Sequence, residues 1–122
     1  MAITSKYIFA ASMDVAPDKE ALFNEVYDIE HVPNLLGVPG VLAAARIKGE
    51  AFAVSIGGEQ KRIAHENPRY TTIYEIDDPQ VLISPAWAVA GEAGRWPGQV
   101  RPHTRNRRLA LYRVLSVGSA KR

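Results

Sequence analysis

Residues 6–20, KYIFAASMDVAPDKE, read as a strand that runs straight into a helix. Lys6 to Val15 is rich in residues that suit a pleated strand, and Ala16-Pro17-Asp18 halts it because proline cannot continue a hydrogen-bonded ladder. Proline is tolerated in a first helical turn, where its missing N–H has no intrahelical partner, and Asp18 and Glu20 suit the positive helix end. Leu22, Val26 and Ile29 recur at helical spacing and predict the buried stripe. Pro33 disfavours helical geometry at Val32, so the helix is expected to stop between Glu30 and Asn34.

Downstream, Gly37-Val38-Pro39-Gly40 reads as a turn and Val41 to Lys48 as the second strand. Residues 49–68, with Gly57-Gly58 as a turn, read as a long excursion between strands. Tyr70 to Ile76 (YTTIYEI) is a strand of mostly β-branched and aromatic residues. Asp77-Asp78-Pro79 ends it and caps a second helix, Gln80 to about Ala93, with an interruption at Ser84-Pro85. A loop marked by Gly94, Pro97, Gly98 and Pro102 leads to a final strand, Leu109 to Val117, and residues 118–122 form a loose tail. The resulting order, β-α-β-β-α-β, is the ferredoxin-like arrangement: α+β, with a four-stranded antiparallel sheet and two helices on one face.

A chain of 122 residues accommodates one domain, so residues 1–122 are expected to share one core. Its 47% hydrophobic and 23% charged residues match neither a disordered nor a membrane-spanning protein, and no stretch approaches the roughly 20 apolar residues a membrane helix needs. Met1 to Lys6 lacks the pattern of a secretory signal, and the absence of cysteine removes disulfides, thiolate nucleophiles and Cys-ligated metal. A cytoplasmic location without a membrane partner is the default expectation. The net charge of +2 argues little for nucleic acid, although Arg101, Arg105, Arg107 and Arg108 crowd together. That cluster reads as a solvated loop or an anion-binding rim, with nucleic acid the weaker alternative.

The strands do not alternate as a half-solvated sheet should. Ile8 and Ala10 point one way and Tyr7, Phe9, Ala11 and Met13 the other; Leu109, Leu111 and Leu115 oppose Ala110, Tyr112 and Val114. Both faces need cover. Two helices supply one, and a second copy of the sheet supplies the other, which predicts a homodimer through the helix-free face.

Tyr27-Asp28-Ile29-Glu30-His31-Val32-Pro33-Asn34-Leu35-Leu36, followed by Val38-Pro39-Gly40-Val41, resembles the dimeric α/β-barrel superfamily, in particular its small EthD-like and related uncharacterised members. There a first helix ends in a Tyr-x-x-Glu-His-x-Pro pattern and runs into a Pro-Gly turn. Tyr70 to Pro79 and Ser84-Pro85-x-Trp87 fit the same group. The resemblance covers the whole chain in element order, but its specific part is the ten or so residues around His31. It implies a pocket between sheet and helices, used in the superfamily by cofactor-free monooxygenases, isomerases, cyclases, haem-handling proteins and members without a known reaction; fold transfers from it better than function.

His31 is the leading catalytic candidate, because imidazole exchanges a proton near neutrality. Tyr27 lies one turn before it, and Glu30 could orient its ring. The structural alternative is a histidine that caps the helix C-terminus. On a helical wheel His31 lies opposite Leu22 and reaches a pocket only if the helix unwinds before Pro33. Arg46 and Tyr74 occupy strand positions from which they could bind an anionic substrate and orient it, or serve as a snorkelling cation and a core tyrosine. Trp87 and Trp96 are candidate walls for an apolar or aromatic ligand, or simply core. His65 and His103 stand apart, so a protein-bound metal is not expected, and no glycine-rich phosphate loop implies a nucleotide cofactor.

The function expected is that of a small-molecule-binding protein, read also as a metal-free and nucleotide-free lyase, isomerase, cyclase or monooxygenase working by proton transfer at His31. The alternatives are a non-catalytic carrier of a hydrophobic ligand or haem, and a structural dimer.

Overall fold

In the computed structural model, which describes residues 3–65 and 67–121, strands β1 (Tyr7–Val15), β2 (Val41–Lys48), β5 (Tyr70–Ile76) and β6 (Thr104–Arg113) form an antiparallel sheet in the order β2-β5-β1-β6. Met1, Ala2, Glu66 and Arg122 lie outside the described residues, and with them part of the N-terminal segment, the neighbour of His65 and the last residue of the expected loose tail. The four-stranded antiparallel sheet and its helices make the expected ferredoxin-like α+β fold.

The excursion at 49–68 is more ordered than its composition suggests. It holds a two-stranded hairpin, β3 (Phe52–Ile56) and β4 (Glu59–Ile63), closed by Gly57 and Gly58 at φ +60° and +82°. Two successive positive φ values are what a two-residue type I′ hairpin turn needs, and glycine adopts them without steric cost.

The first helical run continues past Pro33. After a 3₁₀ turn at Pro17–Lys19 come α1 (Glu20–Val26), a π-helical turn (Tyr27–His31) and α2 (Val32–Leu36). The Val32 N–H donates to the Tyr27 carbonyl, five residues back, and this wide turn admits a proline that an ordinary helix would reject. The predicted stripe is corrected with it. Ile29 is 65% exposed, and the buried line is Phe23, Tyr27, His31 and Leu35, with Val26 beside it.

The second helix is divided as expected at Ser84-Pro85, into a 3₁₀ turn (Pro79–Ile83) and α3 (Pro85–Gly91). Asp78 accepts from the Gln80 N–H and the Ser84 hydroxyl from the Trp87 N–H, so each piece has its own cap. The last strand begins five residues earlier than its apolar run: Arg105, Arg107 and Arg108 belong to β6 rather than to a loop, whereas Leu115 lies beyond it.

Two clusters fill the space between sheet and helices. One joins Met13, Phe23, Val26, Tyr27, Trp96 and Val100; the other joins Leu35, Val38, Val41, Tyr74, Ile76 and Val81.

Candidate functional site

His31 reaches the interior because of the π turn. Adding a residue to one turn rotates everything after it by about 100° relative to a regular α-helix. A side chain expected on the outer face therefore turns inward, and His31 is only 7% exposed. Its ring stacks on Trp96 (centroids 4.3 Å apart, planes at 19°) and meets Tyr27 edge-on at 5.1 Å.

Glu30 does not orient this ring. Its carboxylate accepts from the Arg95 backbone N–H at 2.9 Å and from the Arg95 guanidinium, and these bonds hold it below the usual carboxylate range. Gly94, at φ +69°, sits where a Cβ would collide with that carboxylate. The clamp fixes the chain just before Trp96, which begins a second π turn, Trp96–Val100, and so holds the indole against the imidazole.

Burial, and then the charges of Arg101 and Arg107, push the His31 pKa down to about 4, against a smaller opposing pull from Glu92. The ring is neutral at physiological pH. Its Nδ1 is buried without a hydrogen-bond partner, a state that native interiors seldom leave uncompensated.

Tyr27 and Tyr74 are both buried, and the Tyr27 hydroxyl lies within the influence of the Thr72 and Tyr74 hydroxyls. Burial raises both phenols, so they stay protonated. Tyr74 also packs against Phe9 and Trp87, with centroids at 6.0 and 5.6 Å. Trp87 therefore belongs with Tyr74, and Trp96 with His31; Tyr27 links the two groups. Arg46 has its own partners, Asp28 at 3.0 Å and Asn24 at 2.7 Å, and lies over the Tyr27 ring at 4.7 Å. It borders a separate shallow concavity with Asn24, Lys48 and Tyr70.

On the helix-bearing side of the sheet, β6 carries uncovered apolar surface. Leu109 and Leu111 pair with Ala11 and Phe9 and share their helix-bearing face, yet are 61% and 44% exposed. The flank of α3 carrying Trp87, Ala88, Gly91 and Glu92 borders a concavity of about 300 Å³. Arg101 binds Glu92 and the Gly91 carbonyl, at the end of the same helix. In the sequence Arg107 stands out only as part of a charged cluster, because its strand carries no apolar signal at that point. A spacing of four, from Phe23 through Tyr27 and His31 to Leu35, was the available clue to the inward line. Among the described residues, no three His, Asp or Glu side chains gather as metal ligands.

No protein-family model and no curated protein matches the chain. Among solved structures, a mutant of MhuD with two manganese protoporphyrin IX bound per active site is similar, with a TM-score of 0.60 at 15% identity, over 93% of this chain and 99% of that one. An EthD family protein from Bacillus halodurans c-125 is similar with a TM-score of 0.55 at 15% identity, over 89% and 99% of the two chains. At such identity the likeness is one of fold. What this chain shares with them is the ferredoxin-like α+β fold, a four-stranded antiparallel sheet with helices on one face.

Proposed function

We propose that this protein binds a small, partly apolar anion on the open strip between β6 and α3, and that His31 exchanges a proton with it. The observation that carries this reading is the buried imidazole with an unsatisfied nitrogen, stacked on Trp96 and within the electrostatic reach of Arg101 and Arg107. A ligand anion near the two arginines would offset the charges that depress His31, raising its proton affinity as binding proceeds. Leu109 and Leu111 supply the apolar floor. The bound porphyrin of the MhuD structure supports the idea that this fold takes planar apolar acids.

The working unit is a homodimer through the helix-free face. That face carries Ile8, Ala10, Ala45, Ile47, Ile73 and Tyr112, and several of its polar groups already have partners: Ser12 with Thr71 at 2.7 Å, and Glu75 with the Ser5 hydroxyl at 2.9 Å. A surface whose hydrogen bonds are met internally can be dried at small cost.

Titration with 8-anilino-1-naphthalenesulfonate, a planar apolar anion, tests the binding reading. Saturable fluorescence is expected, weakened at least about tenfold in Arg107→Gln, with proton uptake that disappears in His31→Gln. Non-saturable binding, or binding indifferent to both changes, would reject the site. If a turnover assay is found, His31→Gln should lower the rate by about 10²–10⁴ with the fold retained. Unaltered turnover would leave a carrier.

A further inference from the structure

The hairpin β3–β4 is amphipathic and uncovered. All of its strand residues are exposed. Its register pairs Phe52 with Ile63, Val54 with Lys61 and Ile56 with Glu59. With side chains alternating, Phe52, Val54, Ile56 and Ile63 share one face, and Ala53, Ser55, Gln60 and Arg62 the other. The Glu59–Lys61 ion pair at 3.9 Å closes the apolar face at its tip. An isolated two-stranded hairpin is at best marginally stable in water, so an apolar face kept in register by a Gly-Gly turn calls for a partner.

We propose that this hairpin is an arm that seats its apolar face on a second copy of the chain. The inference rests on the face-to-face dimer proposed above. The arm is rooted in the sheet that forms that dimer: it leaves from β2 and returns to β5, and the Gly49 N–H to Arg69 carbonyl bond, at 2.7 Å, extends the pairing of those strands toward it. Five residues per strand give it a reach of about 17 Å beyond the sheet. Under a two-fold axis through the sheet face, each arm overhangs the other copy.

Area favours the same occupant. The four apolar side chains of the arm, 36–54% exposed, offer on the order of 300 Å². The outer face of four strands, about 4.8 Å apart and about 23 Å long, adds on the order of 450 Å². Neither reaches the roughly 800 Å² per partner of a stable interface, but together they come close. One second copy covers both.

The test uses the full chain and a Phe52→Thr/Val54→Thr/Ile56→Thr variant, which keeps strand-forming residues and removes the apolar face. Sedimentation velocity across concentrations should give a dimer whose Kd rises at least about tenfold in the variant, with unchanged circular dichroism. A photo-crosslinker, p-benzoylphenylalanine, placed at position 54 should yield a covalent dimer. Equal Kd values for both proteins, or crosslinks only within one chain, would overturn the arm and leave the sheet dimer standing. A wild-type monomer at all concentrations would overturn both. Co-sedimentation with phosphatidylglycerol vesicles that the variant loses, with its dimer unaffected, would assign the arm to a membrane surface and reject the second copy.

Discussion

Strands β5 and β6 flank β1 in one sheet, and both turn apolar or aromatic side chains toward the helices, yet their fates differ. On β5, Thr72, Tyr74 and Ile76 are buried; on β6, Leu109 and Leu111 stay exposed. The side chains that the helical segments bury or half-bury, Phe23, Tyr27, Leu35, Val81 and Trp87 among them, pack on β1, β2 and β5 and stop short of β6. The first helical run extends from Pro17 to Leu36, whereas α3 has seven residues and spans about 10 Å. Leu109 and Leu111 thus lie on a strand without helical cover, and Arg107, whose charge reaches His31, belongs to the same strand.

Trp96→Ala should sharpen this contrast most. The indole packs against Phe23, Tyr27 and His31 inside a closed cluster, so its removal should cost about 3–5 kcal/mol in urea unfolding. A loss below about 1 kcal/mol would mean that the cluster around His31 is as loose as the surface of β6.

Legibility in the sequence follows the same division between covered and uncovered regions. Val41–Lys48 and Tyr70–Ile76 were read to the residue, because dense apolar or β-branched runs there are bounded by turn residues. The start of β6 was missed, since Thr104 to Arg108 is an edge segment whose side chains face water and carry no apolar period. The hairpin was missed for a related reason: Gly57-Gly58 was recognised as a turn, but FAVSI and EQKRI alternate without a core to face. At the site, Tyr27 and His31 were local features of one motif, but His31 meets Trp96 across 65 positions, and no local pattern encodes such a pairing. The π turn defeated the proline rule, which holds for regular helices and not for a turn that already lacks ordinary bonding.

His31 binds a proton less readily in the folded chain, at about 4, than in an unfolded chain, near 6.5. Unfolding then takes up a proton between those values. The contribution is fully present above about pH 6.5 and fades as pH falls toward 4, a loss on the order of 3 kcal/mol for the wild type. His31→Gln should flatten that part of the profile, measured by urea unfolding at pH 7 and pH 4.5. An unchanged slope would show the ring to be solvated, like the side chains of β6.

Gly94→Ala should cost about 1–2 kcal/mol through its positive φ alone, and it also displaces the Glu30 carboxylate from Arg95. The informative reading is the indole. With the clamp broken, Trp96 emission should shift to longer wavelength as water reaches it, and the His31 titration should move back toward its ordinary range. If stability falls while emission and titration stay fixed, Glu30 and Arg95 support the loop without positioning Trp96.

Leu111→Ser should have the smallest effect on stability and separates the two strands most directly. The residue lies on the helix-bearing face opposite Phe9, but at 44% exposure it gives up little buried surface when shortened. A change within about 0.5 kcal/mol is expected, as for surface positions in general. Affinity for the naphthalenesulfonate probe should nevertheless fall severalfold, because the lost side chain forms part of the floor on which an apolar ligand would lie. Thr72→Ala on β5 should behave oppositely, since Thr72 is 2% exposed beneath the helices; it should lower stability by about 1–3 kcal/mol with probe affinity unchanged. Were Leu111→Ser to destabilise the chain as much as Thr72→Ala, β6 would have cover that the isolated chain does not show, and the open strip would have to be reassigned from ligand binding to contact with another protein surface.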